Sequence, residues 1–273
     1  MGATRRARSP RRGPRAGLAA LVLAASLPAA ADQLVLTASA DTSLFEDNDD
    51  FSNGSGSLFI GNIASGSPRR TLLRFDTGAL PAGATVTAVS LRFYINRAAI
   101  GSGPAEPAAL YRVTAAWGEG GSATTAGTGT QATATDATWA YRVYGNPGAG
   151  APRLAWSTPG GDFITAASAT TPVGSIGSYT FRSTPQLVAD VQGWLANPGS
   201  NAGWLLQLPE GGDQNARRID SRESAAITNR PVLTITYATA PDNEADVPLP
   251  AWAIAVAGLL LGGTGLRQLR RRA

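Results

Sequence analysis

Carboxylates, hydroxyls, guanidiniums and aromatic rings must supply whatever chemistry this chain performs, because its 273 residues include no His, no Cys and no Lys. Ser/His/Asp and Cys/His nucleophile systems, imidazole- or thiolate-bound zinc and lysine Schiff bases are thereby excluded. Paired acids can hydrolyse glycosides, one as proton donor and the other as nucleophile or base, so acid clusters deserve weighing first. The stretch DTSLFEDNDDFSNGSG carries Asp41, Glu46, Asp47, Asp49 and Asp50 around Asn48, with no arginine downstream until Arg69. Hard oxygen donors at this density suit calcium, which takes about six to eight oxygens. Asp41, Asp47, Asp49 and Asp50 are therefore candidate calcium ligands, a solvated acidic turn being the alternative. An EF-hand is excluded, since Phe51 and Ser52 fall where that loop needs a ligand and its glycine.

A second cluster, EGGDQNARRIDSRE, sets Glu210, Asp213, Asp220 and Glu223 beside Arg217, Arg218 and Arg222. Its arginines nearly match its acids, which predicts ion pairing on the surface rather than a catalytic pair. Four aromatics, Trp139, Tyr141, Tyr144 and Trp156, lie in a Gly/Pro-rich section with little apolar alternation. Flat rings of this kind stack on pyranose faces, and Arg142 and Arg153 could pair with the carboxylates of an acidic polysaccharide such as alginate. The competing reading is that Trp139 and Trp156 pin loops onto the end of the fold. With so few groups able to act as nucleophile or base near neutral pH, binding without turnover is expected. A carboxylate-dependent glycosidase or lyase is the alternative.

The elements that must hold these residues are mostly strands. VSLRFYI alternates Val89, Leu91, Phe93 and Ile95 with polar neighbours, and RPVLTITY alternates Leu233, Ile235 and Tyr237 with Thr234 and Thr236. QLVLTAS, SLFIG, RTLLRFD, ALYRVTAAW, SYTFRS and GWLLQL add further strands between Gly, Pro, Asn and Asp turns. Many short strands predict an all-β sandwich. One helix is expected in TPQLVADVQGWLANP, with Thr184 as cap and Pro185 at the first position. Its apolar face is Leu187, Val188, Val191, Trp194 and Leu195, and Asn197-Pro198 stops it. GSATTAGTGTQATAT, 121–135, reads as a long surface loop.

The two ends read as address labels. Residues 1–31 combine six arginines, an apolar run from Leu18 to Leu27 and Ala29-Ala30-Ala31, the pattern of a secretory signal peptide. Arg11-Arg12 leaves the twin-arginine route open beside the general one. After a short linker, 239–246, the tail carries Val247-Pro248-Leu249-Pro250-Ala251, an apolar stretch of sixteen residues from Ala251 to Leu266, and four arginines. That stretch is near the lower limit for a span of ~30 Å, and the arginines hold its end on the cytoplasmic side. The tail resembles the PEP-CTERM class of sorting signals in its VPLPA variant. The resemblance implies transient insertion in the inner membrane, cutting near the motif by an exosortase-type peptidase, and delivery of the body to the cell surface or extracellular matrix. An ordinary retained anchor is the alternative.

Removing both ends inverts the charge. The full chain is +4, but ten of its 23 arginines lie in the two ends and all 19 acids lie between them, leaving a body of net charge −6. Nucleic acid is excluded as a partner. Within that body, residues 32–238 show in order RRTLLRFD, LPAGATVTAVSLRFYI, VTAAWGEG, DATWAYR, WSTPGGDF and DSRESAAITNRPVLTITY. This order resembles the DNRLRE-domain family, related to alginate-type carbohydrate-binding modules, although no literal DNRLRE string occurs. The resemblance implies a jelly-roll-type β-sandwich with a binding or a purely structural role on secreted and surface proteins.

Protein recovered from the cell surface of its host is expected to have lost the arginine-rich tail. Intact-mass measurement checks this, and material ending at Ala273 would establish a retained anchor.

Overall fold

The structure, a computed structural model, describes residues 31–98, 105–212 and 214–239. The expected signal segment except Ala31, most of the linker, the sorting motif with its apolar stretch, and Asp213 lie outside the described residues. Fifteen strands, one α-helix and three single-turn 3-10 helices make up the regular structure of the described residues. The strands are β1 (Ala31–Thr37), β2 (Ala40–Phe45), β3 (Phe51–Ser52), β4 (Leu58–Asn62), β5 (Pro68–Arg74), β6 (Thr85–Ala98), β7 (Glu106–Arg112) and β8 (Thr130–Gln131). They continue with β9 (Tyr141–Val143), β10 (Leu154–Ala155), β11 (Ala169–Val173), β12 (Gly177–Phe181), β13 (Trp204–Gln207), β14 (Arg217–Ile219) and β15 (Val232–Ala238). The helix α1 is Pro185–Ala196. Among the described residues no helix is long and apolar enough to cross a membrane.

Eleven strands form one curled antiparallel sheet. One half contains β1, β15, β6, β12 and β14; the other contains β2, β5, β13, β7 and β11. Strand β4 joins them, its Leu58, Phe59 and Ile60 pairing with β14 and its Gly61 and Asn62 with β5. The glycine at the crossing has φ +86°, a left-handed conformation that other residues rarely adopt.

The alternation read from the sequence becomes the burial pattern of the first half. Val89, Leu91, Phe93 and Ile95 of β6 and Leu233 and Ile235 of β15 are buried in one core with Leu73, Phe75, Leu110, Trp204 and Leu206 from the other half. The expectation of an all-β, sandwich-like fold with one short helix matches this arrangement. The second half does not alternate, because both its faces are covered. On β5, Leu73 faces the main core while Leu72 belongs to a second cluster; on β13, Trp204 and Leu206 face the main core and Leu205 the second. That second cluster is completed by Val113, Trp117, Ala137 and Trp156 from the long segment between β7 and β11.

The helix forms as its capping residues dictate. The Thr184 hydroxyl accepts from the Leu187 N–H at 3.0 Å, and Pro185 begins the first turn. Leu187, Val191 and Trp194 are buried, and Val188 and Leu195 pack partly against them. Trp194 meets Trp204 edge-on at 4.4 Å between ring centroids. The apolar face read from the sequence is therefore the packed face, with one addition. Asp190 is buried beside it and accepts from Ser168 Oγ, from Trp204 Nε1 at 2.9 Å and from Gln186 Nε2 at 3.0 Å, with Arg112 Nε at 3.5 Å. An acid inside a core is costly unless its oxygens find donors in this way.

Asp190→Ala is expected to lower stability by about 3 kcal/mol, because it orphans the Trp204 indole and the Ser168 hydroxyl and leaves Arg112 unmatched. Asp190→Asn, which keeps an acceptor, should lose less. Urea unfolding of the two variants checks the order.

Candidate functional site

Three places gather polar chemistry: an arginine-lined groove, a tyrosine hairpin and a buried knot of acids. The groove arises where β4, β14 and the end of β6 lie side by side. In the β14 ladder Arg218 pairs with Arg97 on one side and with Phe59 on the other, which puts all three side chains on one face. Arg217 is the next residue and faces the opposite way, towards the end of the core. A cavity of about 430 Å³ opens here, lined by Phe59, Ile63, Arg69, Arg97, Arg217 and Arg218, with the 125–127 part of the Thr/Gly-rich stretch as another wall. No carboxylate lines it among the described residues.

The four arginines divide by depth. Arg69 and Arg217 are buried. Arg69 donates to the Asp47 carboxylate at 2.8 Å and to Gly127 O at 2.9 Å, with its guanidinium 5.1 Å from the Phe45 ring centre. Arg217 donates to Gly174 O at 2.7 Å and Asn215 O at 2.6 Å. Burial lowers its pKa, with Glu106 and Tyr179 opposing, yet a guanidinium remains charged. Arg97 is exposed, and Arg218 is half-buried with its Nε donating to Asn96 Oδ1 at 2.6 Å. Two like charges opposite one another on a sheet are destabilising. An anion seated between them would remove that repulsion.

The predicted aromatic set is divided by the structure. Trp156 is 5% exposed, sits in the second core cluster and donates its indole N–H to Thr138 O at 2.9 Å. Both its faces are spent on packing, which corrects its place among the sugar-binding candidates and favours the loop-pinning alternative. Trp139 is half-buried, with Arg70 over its ring at 4.6 Å and Gly160 against its far edge. Arg70 in turn holds Glu210 through two bonds of 2.7 Å. Tyr141 and Tyr144, on and beside β9, do come together, edge to face at 6.1 Å, with the Arg153 guanidinium 5.1 and 4.1 Å from their ring centres. Arg153 also donates to the Tyr144 hydroxyl at 2.7 Å and lies 3.4 Å from Asp50. Burial and the nearby Asp50 carboxylate push the Tyr144 phenol up. Arg142 instead donates to Ala116 O at 3.0 Å, so it does not join Arg153.

The predicted calcium set is divided too. Asp47 pairs with Arg69 and Asp50 with Arg153, so the expectation that these acids lack partners is corrected: Arg69 is distant in sequence but lies opposite Phe45 in the β2–β5 ladder. Asp49 is exposed in the turn. Asp41 lies six residues before Asp47, on β2, where it is wholly buried and faces Glu119 and Glu223 instead. Its N–H donates to Glu119 Oε1 at 2.7 Å, and its Oδ2 accepts from the Arg222 N–H at 2.7 Å. Arg222 clamps Glu119 through bonds of 2.8 and 2.7 Å and contacts Glu223 at 2.8 Å.

The second acid cluster also corrects an expectation. Of its arginines only Arg222 contacts an acid of the same stretch among the described residues; Arg217 and Arg218 form no ion pair with a described residue. Asp220 instead accepts from Asn96, Asn229 and Ser224. The groove was missed in the sequence because Arg97 lies more than a hundred residues from Arg218. Its one sequence signal was the run Arg217-Arg218, absorbed by the acids beside it.

Trp156→Ala is expected to cost about 3–5 kcal/mol, as a buried ring does, whereas Tyr141→Ala should cost clearly less because its ring is only half-buried. Paired unfolding curves check the contrast; equal small losses would return Trp156 to the surface. No family model matches the chain, and no curated protein matches it.

Proposed function

We propose that the body is a non-catalytic module that binds an acidic polysaccharide of the alginate type in the groove of Arg97 and Arg218, above the buried Arg69 and Arg217. The observation that carries this reading is charge segregation: a body of net charge −6 gathers four arginines, and no described carboxylate, around one cavity. Guanidiniums are planar forks that match uronate carboxylates, and Phe59 beside them offers an apolar edge. The curled antiparallel sheet supports a jelly-roll-type sandwich of the DNRLRE kind. The signal-like start and PEP-CTERM-like tail support export and sorting to the cell surface or extracellular matrix. Signal peptidase and an exosortase-type peptidase are then its processing partners.

The Tyr141–Tyr144–Arg153 hairpin is a second contact surface for the same polymer, because it too presents a guanidinium with half-buried rings. Arg153 covers ring area that a pyranose would need, so the groove is the primary site.

Full-length protein should be retarded by polyuronate and not by neutral glucan in affinity electrophoresis, and the retardation should fall with salt. Arg97→Ala with Arg218→Ala should weaken it about tenfold or more, while leaving the melting temperature equal or higher because a like-charge pair is removed. Tyr141→Ala with Tyr144→Ala reports on the second surface. Undiminished retardation in the arginine double variant overturns the groove assignment; no affinity for any polyuronate supports a purely structural role. Release of reducing ends or unsaturated sugars by the wild type would overturn the non-catalytic reading.

A further inference from the structure

We propose that Asp41, Glu119 and Glu223 form a calcium site that ties β2 to the two long segments following β7 and β14. One carboxylate oxygen from each lies within 4.8 Å of the others. Oxygens sharing one calcium at about 2.3–2.6 Å lie no more than about 5 Å apart, so the three acids are close enough to share one ion with small side-chain adjustments.

Two features point to an ion rather than to acids left over at a surface. Asp41 is wholly buried, and its Oδ1 has no hydrogen-bond partner although its Oδ2 is taken by the Arg222 N–H. Both oxygens of Glu223 are buried; Oε1 is ion-paired with the Arg222 Nε at 2.8 Å, and Oε2 has no hydrogen-bond partner among the described residues. Buried carboxylate oxygens without partners are costly. The charge count points the same way. Three carboxylates face one guanidinium, and the two negative charges in excess equal the charge of one divalent cation.

Calcium is the appropriate ion because every side-chain donor is a hard oxygen and its coordination shell tolerates irregular geometry. Magnesium demands a near-octahedral shell and retains water. A way in exists: Glu223 also borders a solvent-open cleft of about 320 Å³, with Asp220 and Ser221. The site differs from the acidic turn, whose Asp47 and Asp50 already hold arginines.

The test measures melting of the full-length chain in calcium and in chelator, with native mass spectrometry to count ions. Calcium at about a hundredfold excess over its dissociation constant should raise the transition on the order of 5–10 °C, with one calcium per chain. Magnesium at the same concentration should give less than half that shift. Glu223→Gln should abolish both the shift and the bound ion, yet melt in chelator at or above the wild type because one of three like charges is gone. Asp41→Asn, read by ion count alone, should also bind none. The proposal is overturned if wild type carries no calcium, if magnesium is equally effective, or if the shift survives Glu223→Gln and disappears in Asp47→Asn with Asp49→Asn. Polyuronate retardation of Glu223→Gln separates this site from the groove, since loss of calcium alone should leave it largely intact.

Discussion

The layer formed by β2, β5 and β13 has no wet face, and most of the structure follows from that. Leu73, Trp204 and Leu206 fill the main core on one side while Leu72, Leu44 and Leu205 fill the second cluster on the other. A layer buried on both faces needs two covers. The first is the other half of the sheet, whose strands pair in ordinary ladders. The second is the long segment 113–168, which has only short strands and must find partners for its own peptide groups.

It does so with side chains. Asn53 is buried and serves as a clasp, donating to Ser57 O and Thr124 O and accepting from the Thr124 N–H. Asp136, also buried, accepts from the Thr133 N–H and hydroxyl, and Ser122 Oγ accepts from the Gly54 N–H. The indoles of Trp117 and Trp156 point inward and donate to Ala202 O and Thr138 O. The stretch 121–135, which reads as a solvated loop, is thus partly buried, its β8 paired with β3. Where the cover meets the sheet, space is tight: Gly203 has φ +73°, and a side chain there would collide with the Leu73 carbonyl oxygen.

The same cover explains where charge ends up. Glu119 lies in it, and burying the layer brings that acid against Asp41 of β2 and Arg222. Arg69 passes under the 125–127 part of the segment to reach Gly127 O and Asp47. Charges at this depth are retained only when neighbours match them, so arginines and acids far apart in the chain become one arrangement. Nearer the surface, at the β14 groove, Arg97 and Arg218 stand side by side without a described acid between them, and a bound polyanion would match them.

What the sequence by itself determined is local in origin. Period-two alternation in β6 and β15 exposed the half of the sheet with a single core face, and the Thr184–Pro185 start marked the helix to within a residue, because both signals arise between neighbours in the chain. Chemistry was bounded as well, since absent residue types cannot be restored by folding. Tertiary structure alone decided partners. Asp41, Glu119 and Glu223 are separated by 78 and 104 residues, and Arg97 stands 121 residues before Arg218; no periodicity records such meetings. Composition could mark Trp139, Tyr141, Tyr144 and Trp156 as exceptional, but whether a ring is a platform or a peg depends on what covers its faces. That covering comes from strands and loops elsewhere in the chain, through packing that is set only when the whole core closes.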